Sequence, residues 1–263
     1  MPELPDVEIH RRHLERSAIG KRVRDVSTGP KTVFRHATPQ TLSKRLEGGR
    51  LIESTRRGKL LGARVEGRGW LLMHFGMTGS LEDVGPDQEA PEFTKLEMRF
   101  EGGEGLCYIN KRRLGWVGFT QDFEDAARGH APGIDALGVT RDRLAELLRG
   151  RRGTIKGFLL DQGNLSGVGN VYADETLFHA KLDPHQSPAE LTGKQITTLH
   201  REMRRVLEKA IEKGARPDRM PRTWLLPNRD AGSPCPRCGG TIKEEQISGR
   251  VTRYCPNCQA PGG

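Results

Sequence analysis

The pattern of apolar and polar positions changes near the middle of the chain. From residue 51 to residue 119, short β-rich runs are separated by Gly-containing turns, and this predicts a β-sandwich or barrel. The clearest runs lie at 60–65, 70–74, 96–100 and 106–109. The elements predicted ahead of them are a helix over 5–19, a strand over 22–27 and a helix over 39–46.

Beyond residue 139 the apolar period is helical. The predicted helices lie at 141–148, with Thr140 as N-cap, at 154–161 and at 170–179. Thr192 and Gln195 form a capping box ahead of a longer helix, and Gly214 is a natural residue to end it. The apolar stripe of that helix consists of Ile196, Leu199, Met203, Val206, Ala210 and Ile211.

These patterns predict an α+β protein with two domains. A β-sandwich with a flanking helix covers 1–121 and a polar linker covers 122–139. A helical region at 140–232 follows, and a Cys-rich ribbon at 233–263 ends the chain. A length of 263 residues is enough for two ordinary domains.

Charge narrows the choice of partner. The chain carries 43 Lys and Arg against 34 Asp and Glu, for a formal net charge of +9. A basic surface favours a polyanion, although the same charge also serves solubility. No apolar run approaches the length of a membrane span and no apolar leader opens the chain. We therefore expect a cytosolic protein that does not bind membranes, and a monomer.

Four of the five cysteines form two close pairs near the end of the chain. Cys235 and Cys238 are followed, after sixteen residues, by Cys255 and Cys258. Two C-x2-C pairs at this spacing predict one structural zinc ion with four thiolate ligands. Strands on either side of Ser248-Gly249 would form a hairpin between the pairs. Cys107 stands apart and is predicted to be a buried small hydrophobe.

The first six residues, Met1 to Asp6, hold a candidate nucleophile. Removal of Met1 would leave Pro2 with a secondary amine, and terminal amines titrate near neutrality. Such an amine can attack a carbonyl-like carbon to give an iminium, while the neighbouring Glu3 moves protons. The alternative is that two prolines merely stiffen the start of the chain.

A Gly-rich turn, with glycines at 163, 167 and 169, joins the helices predicted at 154–161 and 170–179. Such a turn ahead of a helix presents free backbone N–H groups to an anion. Asn170 adds a side-chain amide, and Lys156 precedes the turn. Taken alone, the turn fits packing as well as it fits phosphate binding.

Together, these segments resemble the formamidopyrimidine-DNA glycosylase/endonuclease VIII family, closer to the formamidopyrimidine branch. The resemblance keeps the family's order over nearly the full length. The matching stretches are Pro2–Pro5, Arg57–Lys59, His74–Ser80, the helix–two-turn–helix at 162–175 and the zinc ribbon.

The resemblance implies a bifunctional DNA glycosylase/AP lyase of base excision repair, with one structural zinc ion and damaged or abasic double-stranded DNA as its partner. Pro2 would form a Schiff base at C1′, and β,δ-elimination would follow. Glu3 and Lys59 would be catalytic, with Asp6 and Glu175 as supporting carboxylates. Lys59 also fits a solvated strand lysine, and Glu175 could instead hold the Gly-rich turn.

The resemblance also implies a set of DNA contacts. Those expected to grip phosphates are His74, Lys156, Asn170 and Arg250, and such contacts position the protein without reading sequence. Those expected to fill the gap left by an extruded base are Met77, Arg112 and Leu114. Met77 also fits an ordinary core methionine.

Departures from the family pattern concern the lesion. Asp6 stands where Glu is usual, and Asn110-Lys111 and Leu114 replace the usual Asp-Pro and Phe. The Arg- and Pro-rich span 215–234 shows no long lesion-capping loop; its Arg222 and Trp224 could form a different pocket wall or simply pack. The first expected substrates are 8-oxoguanine and formamidopyrimidines, with oxidised pyrimidines or hydantoins as the alternative. A catalytically silent DNA-binding member, or a zinc ribbon fused to an unrelated β domain, are the rival interpretations.

Overall fold

The computed structural model describes residues 1–260 and divides into two compact units. Unit one comprises Met1–Pro2 and Asp6–His130. Unit two comprises Glu3–Pro5 and the chain from Ala131 onward. The first helix, α1 at Leu4–Ser17, therefore begins with residues of unit two and continues in unit one.

Unit one is built around two β-sheets. Its strands are β1 Val23–Thr28, β2 Phe34–Arg35, β3 Leu51–Arg57, β4 Leu60–Val65, β5 Gly69–His74, β6 Gly79–Val84, β7 Thr94–Phe100, β8 Gly105–Asn110 and β9 Trp116–Thr120. Its other helices are α2 Pro39–Leu46 and α3 Phe123–His130. One sheet has the order β1-β7-β8-β6 and the other β2-β9-β5-β4-β3; all neighbours are antiparallel except β2 and β9.

Both sheets of unit one contribute to one apolar core. Leu61, Leu71 and Val117 come from the five-stranded sheet, and Leu96, Met98 and Leu106 come from the four-stranded sheet. Helices α1 and α2 add Val7, Leu14, Leu42 and Leu46. Cys107 on β8 is fully buried, as predicted.

Strand register brings three connections to one end of the five-stranded sheet. Leu60 at the start of β4 pairs with His74 at the end of β5. His74 in turn pairs with Trp116 at the start of β9. The turn before β4, the loop after β5 and the loop before β9 therefore leave the sheet side by side.

The segment predicted as a linker contains structure. Helix α3 lies within 122–139, and Asp122 Oδ1 accepts the N–H of Asp125 at 3.0 Å, as an N-cap does. Phe123 and Ala127 are buried, so the missed signal was an apolar pair at i,i+4. The Phe123 ring occupies the space that a side chain at Gly62 would need.

Unit two is mainly helical. Its elements are β10 Ile134–Asp135, α4 Arg141–Leu148, α5 Ile155–Leu160, β11 Leu165–Ser166, α6 Asn170–Ala180, α7 Gly193–Glu212, β12 Lys243–Ile247 and β13 Arg250–Tyr254. The predicted N-cap at Thr140 and the capping box of Thr192 with Gln195 are confirmed, and Gly214 follows α7 at φ +71°. Strands β12 and β13 form the predicted hairpin, with Ser248 and Gly249 both at positive φ in its turn.

The predicted α+β class is confirmed: a β-rich first unit and a helical second unit that ends in a Cys-bearing hairpin. Among residues 1–260, no helix is both long and apolar enough to cross a membrane. The domain boundaries at 121, 139 and 232 stay predictions.

Candidate active site

The carboxylate of Glu3 lies at the N-terminus of α6 in unit two. It accepts hydrogen bonds from the backbone N–H groups of Gly169 and Val171, both at 2.9 Å, and of Tyr172 at 3.3 Å. Helix α6 has no side-chain cap of its own, so Glu3 takes that place and meets the positive end of the helix dipole. The anion held by the Gly-rich turn is thus a carboxylate of the same chain.

Two glycines of this turn make room for the start of the chain. A Cβ at position 169 would overlap the Glu3 carboxyl group, and a Cβ at position 167 would overlap the Leu4 side chain. Gly167 also has φ +108°, which disfavours any other residue. The N–H of Leu4 donates to the Gly167 carbonyl at 3.0 Å. Close approach therefore requires glycine at both positions.

Pro2 is bonded directly to Glu3, and both Glu3 and Leu4 are held in place. Glu3 is 2% exposed and Leu4 is fully buried in the core of unit two. Met1, by contrast, is 59% exposed. While Met1 is attached, the Pro2 nitrogen is an amide without nucleophilic character. Asp6, half-buried in the first turn of α1, follows four residues later.

Lys59 lies in the two-residue turn between β3 and β4 in unit one. Gly58 takes φ +57° in that turn, and its carbonyl accepts from Arg56 Nη1 at 3.0 Å. Arg56 Nε in turn reaches Glu8 at 3.3 Å. Burial acts to raise the pKa of Glu8, but Arg11, Arg12 and Arg56 hold it below its usual range. A chain of charged contacts thus supports the turn that carries Lys59.

His74 is the last residue of β5 and is held among aromatic and basic groups. Its ring stacks on Trp116, at 5.8 Å between centroids, and meets the His130 ring at 4.8 Å. Burial lowers the pKa of His74 to about 3, with further contributions from His130, Lys59 and Arg35. His74 is therefore neutral at pH 7 and could meet a phosphate only as an N–H donor.

The three residues predicted to fill a gap lie on two adjoining loops of unit one. Met77, in the loop after β5, is 37% exposed, and Leu114, in the loop before β9, is 52% exposed. The N–H of Arg112 donates to Thr78 Oγ1 at 3.1 Å, which joins the loops. Met77 is therefore not a core methionine. Buried Asn110 fixes this end by donating to the Phe75 carbonyl at 3.0 Å.

Lys156 is fully buried in unit two. Its ammonium group contacts a carboxylate oxygen of Asp174 and donates to the Asn170 carbonyl at 3.0 Å. The other Asp174 oxygen accepts from Arg229 Nη2 at 2.8 Å. Burial lowers the pKa of Lys156, and the Asp174 carboxylate opposes that shift. A direct phosphate contact by Lys156 would require this internal pair to open.

Asn170 and Asp174 attach α6 to the Cys-bearing hairpin. Asn170 Nδ2 donates to the Val251 carbonyl at 2.8 Å, and the N–H of Arg253 donates to Asp174 at 3.3 Å. Both side chains are thus used within unit two. Arg250, at the start of β13, keeps an exposed side chain.

Glu175 holds the Arg- and Pro-rich segment rather than the Gly-rich turn. Its carboxylate accepts the N–H groups of Leu225 and Leu226 at 3.1 and 2.6 Å, and lies 2.8 Å from His179 Nε2. Trp224 is 3% exposed within the core of unit two, whereas Arg222 is exposed. Trp224 therefore packs, and the segment is fixed at this point.

The four cysteines fit one tetrahedral metal ion. The sulfur atoms of Cys235, Cys238, Cys255 and Cys258 lie within 4.8 Å of one another. Cys238 and Cys255 are 3.5 Å apart, and Cys235 and Cys258 are 3.8 Å apart. Tetrahedral Zn–S bonds of about 2.3 Å place sulfurs about 3.8 Å apart. All four positions would be filled by protein, so the ion would be structural.

Comparison with known families matches most of the chain. Residues 1–117 match the formamidopyrimidine-DNA glycosylase N-terminal domain, and residues 132–220 match the H2TH domain of the same enzymes. Residues 232–261 match the zinc finger found in FPG and IleRS. This chain belongs to the formamidopyrimidine-DNA glycosylase family. The predicted structural zinc ion follows, with the four cysteines as its ligands.

Individual members of the formamidopyrimidine-DNA glycosylase family are similar over nearly the whole chain. The enzyme of Symbiobacterium thermophilum is 35% identical over 98% of this chain and 89% of its own length. The enzyme of Geobacter metallireducens is 36% identical over 98% of this chain and all of its own length. A point mutant of the Lactococcus lactis enzyme has been solved with DNA containing Fapy-dG; it matches with a TM-score of 0.86 and 29% identity over 98% of this chain and all of that chain.

Two residues of the site were missed from the sequence. Asp174 and Arg229 complete the buried cluster around Lys156, yet neither belongs to a local motif. The available signal was that α6 is a buried helix. Residues 172–178 are all buried, and a buried acidic side chain needs a partner. The catalytic and DNA-contact roles of the predicted site residues stay predictions.

Replacing Gly169 with Ala should destabilise the protein by about 1–3 kcal/mol, because the added methyl group overlaps the Glu3 carboxyl group. Gly169 lies at φ −125°, so backbone strain adds nothing. Chemical denaturation of Gly169→Ala, Glu3→Ala and the double variant would measure the coupling. Gly129→Ala, which has open space, serves as the control. If the effects of the two substitutions on the free energy of unfolding were additive in the double variant, the overlap between the two positions would be contradicted.

His74 should make the protein acid-sensitive. Its folded pKa is about 3, against about 6.5 when unfolded, so the unfolded chain binds the proton first as pH falls. We therefore compare the free energy of unfolding of His74→Phe with that of wild type, measured by denaturant unfolding at each pH. The difference should shift in favour of His74→Phe by about 2 kcal/mol when the pH is lowered from 7 to 5. This expected shift does not depend on the exact pKa of His74 in the folded protein, because pH 5 lies above that pKa.

His185 provides the opposite control. Its pKa is raised, since Asp183 and Glu245 outweigh the effect of burial. Its stabilising contribution is present below its unfolded pKa and is lost as pH rises through the folded one. His185→Gln should therefore lose stability at pH 5 and little at pH 8. If the stability of His74→Phe and of His185→Gln, each relative to wild type, changed with pH in the same way, the opposite pKa shifts of the two histidines would be disproved.

Removal of one zinc ligand should release the ion and unfold the hairpin. Cys255→Ser is expected to bind far less than one zinc ion per chain and to lose amide-exchange protection over β12 and β13. Cys107→Ser, outside the cluster, should keep one zinc ion and the protected hairpin. Full zinc content in Cys255→Ser would contradict the four-cysteine site.

Proposed function

We propose that this protein excises oxidatively damaged bases from double-stranded DNA and then cleaves the abasic site. The observation that carries the proposal is Glu3, which lies directly beside Pro2 and is fixed by three backbone N–H groups, those of Gly169, Val171 and Tyr172, at the N-terminus of α6. Once Met1 is removed, a secondary amine and a carboxylate with fixed orientation stand next to each other. Family membership, and relatives solved with Fapy-dG or abasic-site DNA, support the substrate class.

The proposed chemistry begins at C1′ of the damaged nucleotide. The Pro2 nitrogen attacks C1′ and the C1′–N bond to the base breaks, with a proton delivered to the leaving base. Glu3 transfers protons at the sugar ring oxygen, and the opened sugar becomes an iminium on Pro2. Loss of a C2′ proton then expels the 3′ phosphate, and a second elimination expels the 5′ phosphate. Water finally hydrolyses the iminium, which breaks the bond between Pro2 and C1′ and releases the sugar fragment as an aldehyde.

The remaining residues bind and shape the DNA. Lys59, at the end of the five-stranded sheet, would meet the leaving base or a phosphate. Met77 and Leu114 would fill the space vacated by an extruded nucleotide, while Arg112 meets the unpaired partner base. Arg250 on the zinc hairpin would contact a phosphate. The exposure of Met77, Arg112 and Leu114 on two adjoining loops, and of Arg250 on the hairpin, supports these roles.

Formamidopyrimidine and 8-oxoguanine lesions are the first substrates to test. One observation favours a second class, oxidised pyrimidines and hydantoins. Trp224 and the Glu175 contacts fix the middle of residues 215–234 on the helical core, which leaves less chain free to close over a purine lesion. Single-turnover rates on a panel of lesion duplexes at fixed salt would rank the two classes.

Borohydride trapping on abasic-site DNA tests the nucleophile. The processed protein should form a covalent adduct, and a variant that keeps an extra N-terminal residue should form none, because its Pro2 nitrogen is an amide. Mass spectrometry of each protein confirms which chain start is present. A full-strength adduct from the extended variant would rule out Pro2.

Glu3→Gln should slow base release by about 10²–10⁴-fold, the usual cost of losing a proton-transfer group. Glu208→Gln, on the surface of α7, is the matched control and should leave the rate unchanged. Single-turnover excision at saturating protein separates this effect from weaker binding. An unchanged rate in Glu3→Gln would exclude proton transfer by Glu3.

A further inference from the structure

A histidine occupies a core position of helix α1. Val7, His10 and Leu14 follow one another at spacings of three and four residues, so they share one face of the helix. Val7 and Leu14 are fully buried in the core of unit one. His10 thus stands where the pattern predicts an apolar side chain, and the proposed chemistry does not use it.

The His10 side chain packs as an aromatic ring. It stacks on Phe75, with 4.5 Å between the ring centroids and 21° between the planes. No hydrogen bond or ion pair of the His10 side chain occurs within residues 1–260. Burial lowers the pKa of His10 to about 4, with a further contribution from His13, so the ring is neutral at pH 7. The stack therefore involves no charge.

Phe75 begins the loop between β5 and β6. We call this loop, residues 75–78, the Met77 loop. The Phe75 ring is 1% exposed and also meets the Tyr108 ring, at 5.6 Å between centroids. Its carbonyl accepts the N–H of Gly79 at 2.8 Å, which closes the loop. The ring and the carbonyl of one residue thus fix the base of the Met77 loop.

The rest of the Met77 loop is pressed against its neighbour. Gly76 takes φ +58°, and a Cβ there would lie 2.3 Å from the carbonyl carbon of Leu114. Thr78 Oγ1 accepts the N–H of Arg112 at 3.1 Å. Between these two contacts, Met77 is 37% exposed. A displacement at the base of the loop would therefore move Met77 and the neighbouring loop together.

We propose that His10 is a positioning residue for base extrusion, because its stack on Phe75 holds the Met77 loop in the arrangement that enters the duplex. The proposal rests on the proposed function, in which Met77 fills the space of the extruded nucleotide. His10 acts through Phe75 and not by contact with the reacting atoms. Its removal should weaken binding of damaged DNA, where a gap is filled, and spare binding of undamaged DNA, which phosphate contacts dominate.

The test measures an affinity ratio at neutral pH and fixed salt, between a duplex with a non-cleavable abasic analogue and the same duplex undamaged. His10→Ala should lower this ratio by about 2- to 10-fold, the range that one aromatic pair contributes. His10→Phe should restore the wild-type ratio, because it keeps an uncharged ring in the stack. The matched control is His13→Ala, one turn later on α1. The His13 ring reaches Asp83 at 2.9 Å instead, so the ratio should stay unchanged.

A double-mutant cycle with Met77→Ala separates positioning from general destabilisation. Met77→Ala should itself lower the ratio, because the side chain that fills the gap is gone. Addition of His10→Ala should then lower it little further, since no Met77 side chain remains to be positioned. Denaturant unfolding and zinc content check that each variant is folded. If His10→Ala does not fold, His10→Gln, which keeps the length of the side chain without a ring, replaces it with the same expected loss.

Four results would each overturn the proposal: an unchanged ratio in His10→Ala, equal losses on both duplexes, additive effects with Met77→Ala, or no recovery in His10→Phe. Borohydride trapping on abasic-site DNA is run in parallel at saturating protein. If wild type forms no adduct, the proposed function fails, while the affinity ratios still decide the role of His10. A wild type without preference for the abasic duplex would overturn both.

Discussion

The contact between the Glu3 carboxylate and the N-terminus of α6 is the constraint on which the rest of the site depends. It satisfies the backbone groups of a buried helix end and, in the same contact, fixes the residue beside the proposed nucleophile. It also explains the glycines at 167 and 169, since side chains there would collide with Leu4 and Glu3. Capping of α6 and the proposed catalytic role of Glu3 therefore both require glycine at these two positions.

The cations of unit two include an internal group and an exposed group. Lys156 and Arg229 point inward to Asp174, where they hold α6 and the zinc hairpin together. Breaking one partner of such a buried pair is far more costly than breaking a surface pair. The exposed Arg250, by contrast, forms no ion pair with a carboxylate among residues 1–260. A net charge of +9 alone does not distinguish these two groups.

Sequence reasoning succeeded where the signal is local. Caps at Thr140 and Thr192 and the spacing of four cysteines each lie within a few residues, and the structure contains all of them. It failed where partners are distant: burial of Lys156 depends on Asp174, and the anion at the Gly-rich turn comes from residue 3. Helix α3 was missed because a polar surface and one short apolar pair resemble a linker.

The distance along the chain between Glu3 and Gly169, 166 residues, has a consequence for synthesis. A ribosome adds about 5–20 residues per second, so the partners of Glu3 emerge about 8–33 s after it does. During that interval Glu3 has no partner on α6, and the chain start is open to the peptidase that the proposed function requires for removal of Met1. The order of translation thus leaves time for the proposed removal of Met1 before Glu3 is fixed on α6.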